Sequence, residues 1–453
     1  MSLGARPLLP LCPPCSLKPG LRAPVTPALL LQASVELLTE VESAGRPADA
    51  VTSGWFRARR QIDAADRGAL LERLYAVMRH RARLGWWLAR VGAAEGPQNR
   101  LLAWLALGEG RGAEQIARLM AAAGMDGAGT GWLAGLAGAA LTHPEMPEPV
   151  RLECPDWAYG PLQQQFGARL GVELAAMLEP PPLDLRVNPV KSSRETVLRA
   201  LKAQELPASA MPFAPHGIRL AERLSLDRLA GLKTGEIEIQ DEGSQLVAAL
   251  VGARPGERVV DFCAGAGGKT LALAAEMGNR GHLVACDINE ARLKRCAERL
   301  RRAGLHNAET RVLSSETDRW IKRHKGGFDR VLVDAPCTGT GTWRRNPDAR
   351  WRAPDLGLEA LVALQARILA SAARLVKPGG RLVYATCSVL PQENAAQVTA
   401  FLAAHPAFRA LPLAELAPGL AGLAEAGHLS LTPARHGTDG FFAAVLQRAD
   451  LGG

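Results

Sequence analysis

From about Gln240 onward the chain alternates strand-like and helix-like runs, and no other feature constrains its fold as much. Strands are expected at Arg258–Cys263, His282–Asp287, Glu309–Leu313, Phe328–Ala335 and Arg381–Thr386. Helical patterns fall between or after them, at Lys269–Met277, Glu290–Ala303, Asp355–Leu375 and Gln392–Leu402. This alternation predicts an α/β unit built on a doubly wound parallel sheet. A late strand, Phe441–Gln447, closes the chain, with Phe442, Ala444 and Leu446 alternating with their neighbours. In open sheets of this class ligands lie beyond the carboxyl ends of the strands, so the chemistry is sought there.

The first of these strands runs into Asp261-Phe262-Cys263-Ala264-Gly265-Ala266-Gly267-Gly268-Lys269-Thr270. Glycines let the backbone turn tightly and approach a ligand at a helix N-terminus. A phosphate loop would need Gly at 263, where Cys263 stands, and a dinucleotide turn from Gly265 would need Gly at 270, where Thr270 stands. The related turn that holds S-adenosylmethionine remains. That ligand has no phosphates, so a neutral turn over Cys263, Ala264, Gly265, Ala266, Gly267, Gly268 and Lys269 suffices. Asp287, ending the second strand, is placed for the ribose hydroxyls, with capping of the Glu290 helix as its competing role.

Two further strand ends carry cysteines. The fourth strand enters Asp334-Ala335-Pro336-Cys337 and then a loop with Gly339 and Gly341, Trp343, Arg344, Arg345, Arg350, Trp351 and Arg352. The fifth ends in Tyr384-Ala385-Thr386-Cys387-Ser388. In the strand order usual for methyltransferases these two strands are neighbours, so both thiols would face one cleft. A free Cys is most often an inert core residue, but two at equivalent polar loop positions suit a reaction. Carbon 5 of cytosine is too poor a nucleophile to attack a methyl sulfonium. A thiolate adding to carbon 6 makes carbon 5 enamine-like, and a base must afterwards remove the carbon 5 proton. Asp334 is placed for the pyrimidine edge or for the cofactor's amino group.

Upstream, residues from about 27 to 142 show only helical spacing, as in Leu29, Leu30, Ala33, Leu37, Leu38 and Val41. Arg57, Arg59, Arg60, Arg67, Arg73, Arg79, Arg81, Arg83 and Arg90 stand there against Asp63, Asp66 and Glu72, a stripe able to track phosphates or to be a solvated face. A helix is expected at Leu162–Leu178, and strands at Leu183–Asn188, Gly217–Leu220 and Glu236–Gln240. The implied division is a Pro-rich leader (1–24), a helical unit (25–143), a bridging helix and small α+β unit (144–235), and the α/β unit (236–453). A net charge of +9 favours an anionic partner. The 8 cysteines are too scattered for a disulfide scaffold, which fits a reducing, cytoplasmic setting. Cys12-Pro-Pro-Cys15 lacks a second ligand pair, so no metal site is expected, and no apolar run is long enough to span a membrane.

The runs LRVN (185–188), IQDEGSQL (239–246), DFCAGAGGKT (261–270), DAPCTGTGTWRRNPD (334–348), ATCSVLPQEN (385–394) and HGTDGFF (436–442) closely resemble the RNA 5-methylcytosine methyltransferases of the NOL/NOP2/Sun type. Within them the chain is most similar to the bacterial enzymes that act on 16S ribosomal RNA, and its helical region resembles their NusB-like RNA-binding domain. The resemblance implies a Rossmann-like class I S-adenosylmethionine methyltransferase domain with a late antiparallel strand, working as a monomer. It implies Cys387 as nucleophile and Cys337 as the residue that assists product release. Cytosine-5 DNA methyltransferases, which use a Pro-Cys thiol as nucleophile, suggest the opposite assignment. It further implies Cys263–Lys269, Asp287 and Asp334 around the cofactor. The family often has an acidic residue after the third strand, at the adenine end. Here Ser314, Ser315 and Glu316 follow, and the choice among them stays open. Arg186, Arg344, Arg345, Arg57, Arg59 and Arg60 are the expected RNA contacts. Transfer RNA as substrate and a non-catalytic RNA-binding assembly factor are the competing readings, with an NAD-dependent oxidoreductase more distant.

Overall fold

The computed structural model describes residues 26–221, 226–352 and 357–450. The leader with Cys12 and Cys15, and the expected start of a helix at Asp355, lie outside the described residues. The N-terminal unit is helical, with its longer helices at Pro27–Ser43, Ala48–Ala58, Ala64–Arg79, Arg81–Arg90, Pro97–Leu107 and Ala113–Ala122. The first starts where Thr26 Oγ1 accepts from the Leu29 amide with Pro27 just inside, a favoured opening for a helix. Its buried stripe includes Leu31, Leu37, Leu38 and Val41, which meet Leu74, Leu84, Leu102 and Ile116 in one core. Trp87 belongs to that core and donates its Nε1–H to the Leu141 carbonyl at 3.0 Å.

The bridging unit departs from its expected outline in two places. The single helix expected at 162–178 is two, Asp156–Phe166 and Leu170–Ala176, because Gly167 turns the chain at φ 51°. The small sheet holds β1 (Leu183–Val187), β2 (Ala208–Ala210), β3 (Gly217–Leu220) and β4 (Ile237–Ile239) in the order β2-β3-β1-β4. Its pairings are antiparallel, and β4 pairs with β1, so a strand placed at the head of the α/β unit belongs to the bridging one.

The large sheet contains β5 (Arg258–Asp261), β6 (His282–Asp287), β7 (Ala308–Val312), β8 (Phe328–Asp334), β9 (Val376–Thr386), β10 (Phe408–Leu411), β11 (Ala424–Glu425), β12 (His428–Leu431) and β13 (Phe441–Arg448). Its order is β11-β12-β13-β9-β8-β5-β6-β7, with β10 also on β13. Strands β5 to β9 run parallel, and β13 lies antiparallel against β9. This is the Rossmann-like class I methyltransferase architecture. Side chains of period two feed two cores. Val259, Leu332 and Val383 face helices Glu242–Val251, Gly268–Glu276 and Glu290–Ala303, while Val260, Val331, Val333, Leu382 and Tyr384 face Gly357–Ala373 and Ala395–Ala404. The order reverses at β5, between β6 and β8, and the crevice that opens there is the ligand position for such sheets.

Candidate active site

The turn after β5 is held through its backbone amides. The Ala264 amide donates to the Cys286 carbonyl, and the Gly265 amide to Asp287 Oδ2, each at 2.8 Å. Asp287 Oδ1 accepts from the Asn289 amide at 2.7 Å, and Asn289, not Asp287, caps the helix that follows. A carboxylate has about four acceptor positions, so Asp287 keeps capacity for ribose hydroxyls. Gly267 has φ 85°, and a Cβ there would lie 2.4 Å from Cys296 Sγ. A Cβ on Gly265 would meet nothing within 4 Å, so space is open over the turn. A phosphate-free, adenosine-bearing ligand fits this arrangement. Burial and the carboxylates of Asp261, Asp334 and Asp287 push the Cys263 thiol up, so Cys263 sits there as a neutral lining.

Cys337 follows β8 and Cys387 follows β9, and their sulfurs are 3.4 Å apart. Glu393, fully buried, locks the two loops together. It accepts from the Thr338 amide at 2.8 Å, Thr338 Oγ1 at 2.5 Å, Gln365 Nε2 at 2.9 Å and Ser388 Oγ. All its acceptor positions are thereby used. The Gly341 amide donates to the Cys387 carbonyl at 3.0 Å, and the Gly440 amide to the Gly341 carbonyl at 2.8 Å. Glu393 stands in the ATCSVLPQEN run, yet nothing in a sequence distinguishes a buried, fully bonded Glu from a surface one. The hydrogen bond with Cys387, burial and the neighbouring Cys387 and Glu393 push the Cys337 thiol well up.

Lys269 completes the group, its Nζ 2.7 Å from Asp334 Oδ2. Burial disfavours the ammonium, but Asp334 outweighs it, with Cys387 adding in the same direction, and the Lys269 pKa is raised. The structure thus brings together Lys269, Asp334, Cys337 and Cys387, with the Gly turn and Asp287 on the β6 side. After β7, Glu316 is engaged by Arg367 at 2.9 Å and Ser314 by Asp318, whose carboxyl its hydrogen bonds hold down to about 2.

Three of the expected RNA contacts need correction. Arg344 is 5% exposed and bonds Asp439 at 2.5 Å and Asp241 at 3.4 Å. Arg345 bonds the same two carboxylates at 2.5 and 3.1 Å. These arginines neutralise two buried acids that would otherwise be costly to desolvate. Arg186 is also buried, donating to Gln240 Oε1 at 2.6 Å and to the Gly268 carbonyl at 2.8 Å, where it steadies the start of the helix after the Gly turn. Trp343, beside them, is fully buried against Trp157 and Arg350. Arg57 and Arg60 are exposed, and half-buried Arg59 pairs with Glu36 at 3.4 Å and lies 4.1 Å from the Trp55 ring centre.

Residues 248–447 match the model of a family described as 16S rRNA methyltransferase RsmB/F, and residues 154–227 match the ferredoxin-like domain of that group. Over 299 residues the chain is 37% identical to "Probable ribosomal RNA small subunit methyltransferase B" of Synechocystis sp., an alignment covering 65% of this chain and 67% of that protein. The chain belongs to the RsmB/F methyltransferase family. The crystal structure of PH0851 resembles it with a TM-score of 0.75 at 24% identity, covering 94% of this chain and 100% of that one, a likeness of fold. A methyltransferase homolog from Pyrococcus horikoshii gives 0.57 at 30% identity, over 66% of this chain and 97% of that one. The cofactor of an RsmB/F methyltransferase is S-adenosylmethionine, and the turn at Cys263–Gly268 with Asp287 is where this chain would hold it.

Proposed function

We propose that this chain methylates carbon 5 of a cytosine in 16S ribosomal RNA through a covalent adduct with Cys387. The observation that carries the reading is the pair of sulfurs 3.4 Å apart on adjacent strand ends, beside Lys269 and Asp334. The names of the RsmB/F relatives support the ribosomal substrate. S-adenosylmethionine supplies the electrophilic methyl group. Cys387 Sγ adds to carbon 6, the C5=C6 electron pair moves to carbon 5, and carbon 5 takes the methyl. Release breaks the C5–H bond, returns that pair to C5=C6, and expels Cys387 as thiolate. Cys337, adjacent to the departing sulfur, serves as the base. It acts from its thiolate form, a minor one near neutral pH because its pKa is raised, and becomes the thiol as Cys387 leaves as thiolate. Lys269 sets a positive charge beside the sulfur that gains and sheds negative charge. The helical unit, with exposed Arg57 and Arg60, takes the RNA in the NusB-like manner.

Cys387→Ala is expected to lower methyl transfer to protein-free 16S ribosomal RNA by on the order of 10³-fold or more. Cys337→Ala is expected to trap an RNA adduct that survives denaturing electrophoresis. Full transfer by the first variant would exclude the nucleophile assignment, and a second variant without adduct would exclude the division of roles. Mapping 5-methylcytosine in 16S and transfer RNA from a deletion strain separates the ribosomal reading from the transfer RNA one.

A further inference from the structure

A cavity of about 130 Å³ lies where the helical unit meets the short helix Pro347–Trp351, which follows the Cys337 loop. Its apolar lining is Val41, Val77 and Met78, and Trp351 stands beside them. Arg46, Arg81 and Arg352 also line it. Arg352 pairs with Asp348 at 2.9 Å. Arg46 and Arg81 have no carboxylate partner among the described residues, and Arg81 lies 6.0 Å from the Trp351 ring centre. Glu42, the other acid here, is engaged by Arg100. The Trp351 ring is fixed rather than mobile, since its Nε1–H donates to the Met78 carbonyl at 2.7 Å.

We propose that this junction cavity binds one unpaired base of the RNA substrate, an inference that rests on the RNA-methyltransferase reading above. The volume is well below the ~300–1,000 Å³ of a site for a drug-sized ligand, so it admits a single planar ring. Single-stranded RNA is gripped by stacking on an aromatic or guanidinium plane, with cations on the adjoining phosphates. A half-buried Trp fixed by its own hydrogen bond, apolar walls and two arginines without carboxylate partners supply those parts. Position adds to the fit. Trp351 and Cys337 share the segment after β8, so a base seated here anchors the strand relative to the reacting cytosine.

The test uses the full chain and a fluorescein-labelled, cytosine-containing oligoribonucleotide, unpaired and of mixed sequence. By anisotropy, Arg46→Ala/Arg81→Ala and Trp351→Ala should each weaken binding about tenfold, while Trp351→Phe, which keeps an aromatic face, should stay within about threefold of wild type. A 5-iodouridine version of the oligonucleotide should crosslink under ultraviolet light to the peptide containing Trp351. Affinity within about twofold of wild type in the double variant, together with no crosslink, would overturn the site. So would weakening in the arginine variant alone without a crosslink, which would mark a phosphate or acidic-protein contact. Adduct capture by Cys337→Ala is read separately, so failure here is distinguishable from failure of the catalytic reading.

Discussion

Two aspartates at neighbouring strand ends show how little of a residue's behaviour its identity fixes. Asp287 is held by backbone amides beside open space, whereas Asp261 is 1% exposed and accepts from Thr270 Oγ1 at 2.7 Å. Burial pushes the Asp261 carboxyl up from 3.8 to about 7, with Asp334 and Asp287 adding to it and Thr270 and Lys269 opposing. Between those two values the folded protein keeps a proton that the unfolded chain has released, so stability falls as pH rises. The contribution is complete below about pH 4 and is lost through about pH 7. Asp261→Asn keeps an acceptor for Thr270 and cannot ionise. Urea unfolding from about pH 5 to about pH 7.5 should therefore show a flatter fall in unfolding free energy for the variant than for wild type. Equal slopes would mean that Asp261 does not titrate in that window. The motif around Asp261 is plain in the sequence, but its proton is not, because that depends on burial beneath the Gly turn and on Thr270.

Among elements, the strands that position the site are legible and the ones that finish the sheet are not. β5, β6, β8, β9 and β13 are apolar runs feeding both cores, and the expected bounds lie close to those observed except in β9. That strand starts at Val376 and runs through Gly379-Gly380, rather than starting at Arg381 after a turn there. β10 is 4 residues long with only Leu411 buried, and β11 is 2 residues long, so pairing, not composition, defines them. One close approach between elements is also silent in the sequence. A Cβ on Gly341 would lie 2.2 Å from the Gly440 carbonyl oxygen, and backbone cannot move aside as a side chain can. The contact ties the Cys337 loop to the entry of β13. Gly341→Ala should cost about 1–3 kcal/mol by overpacking and lower turnover with it. Gly422→Ala, where a Cβ meets nothing within 4 Å, is the control. Thermal melts and methyl-transfer rates on both variants check this, and a Gly341→Ala protein as stable and active as the control would rule out the strain.

At the scale of the molecule, the Trp- and Arg-rich segment after Cys337 joins the units rather than facing outward as a whole. Arg350 is 1% exposed, donates to the Glu153 and Met177 carbonyls at 3.2 Å each, and lies 4.9 Å from the Trp343 ring centre. Burial lowers its pKa to about 10, so it remains charged near neutrality. Next to it the Ala48 amide donates to Asp348 Oδ2 at 3.1 Å, and Arg79 Nη2 donates to the Arg344 carbonyl at 2.9 Å. Trp and Arg suit RNA contacts and buried cation–π packing alike. The sequence could not separate these roles, because the deciding partners sit far away at Ala48, Arg79, Glu153, Met177, Asp241 and Asp439. If this segment couples the helical unit to the cysteine loops, Arg350→Ala should act on both sides at once. Two charge-assisted bonds are lost, a cost of about 3 kcal/mol or more by denaturant titration. Amide exchange should quicken in the 338–346 loop and also in Ala64–Arg79, which supplies neither of the two carbonyls that Arg350 bonds. Faster exchange confined to the loop would mean that the helical unit is merely attached, and that its arginines reach the RNA independently of the catalytic cleft.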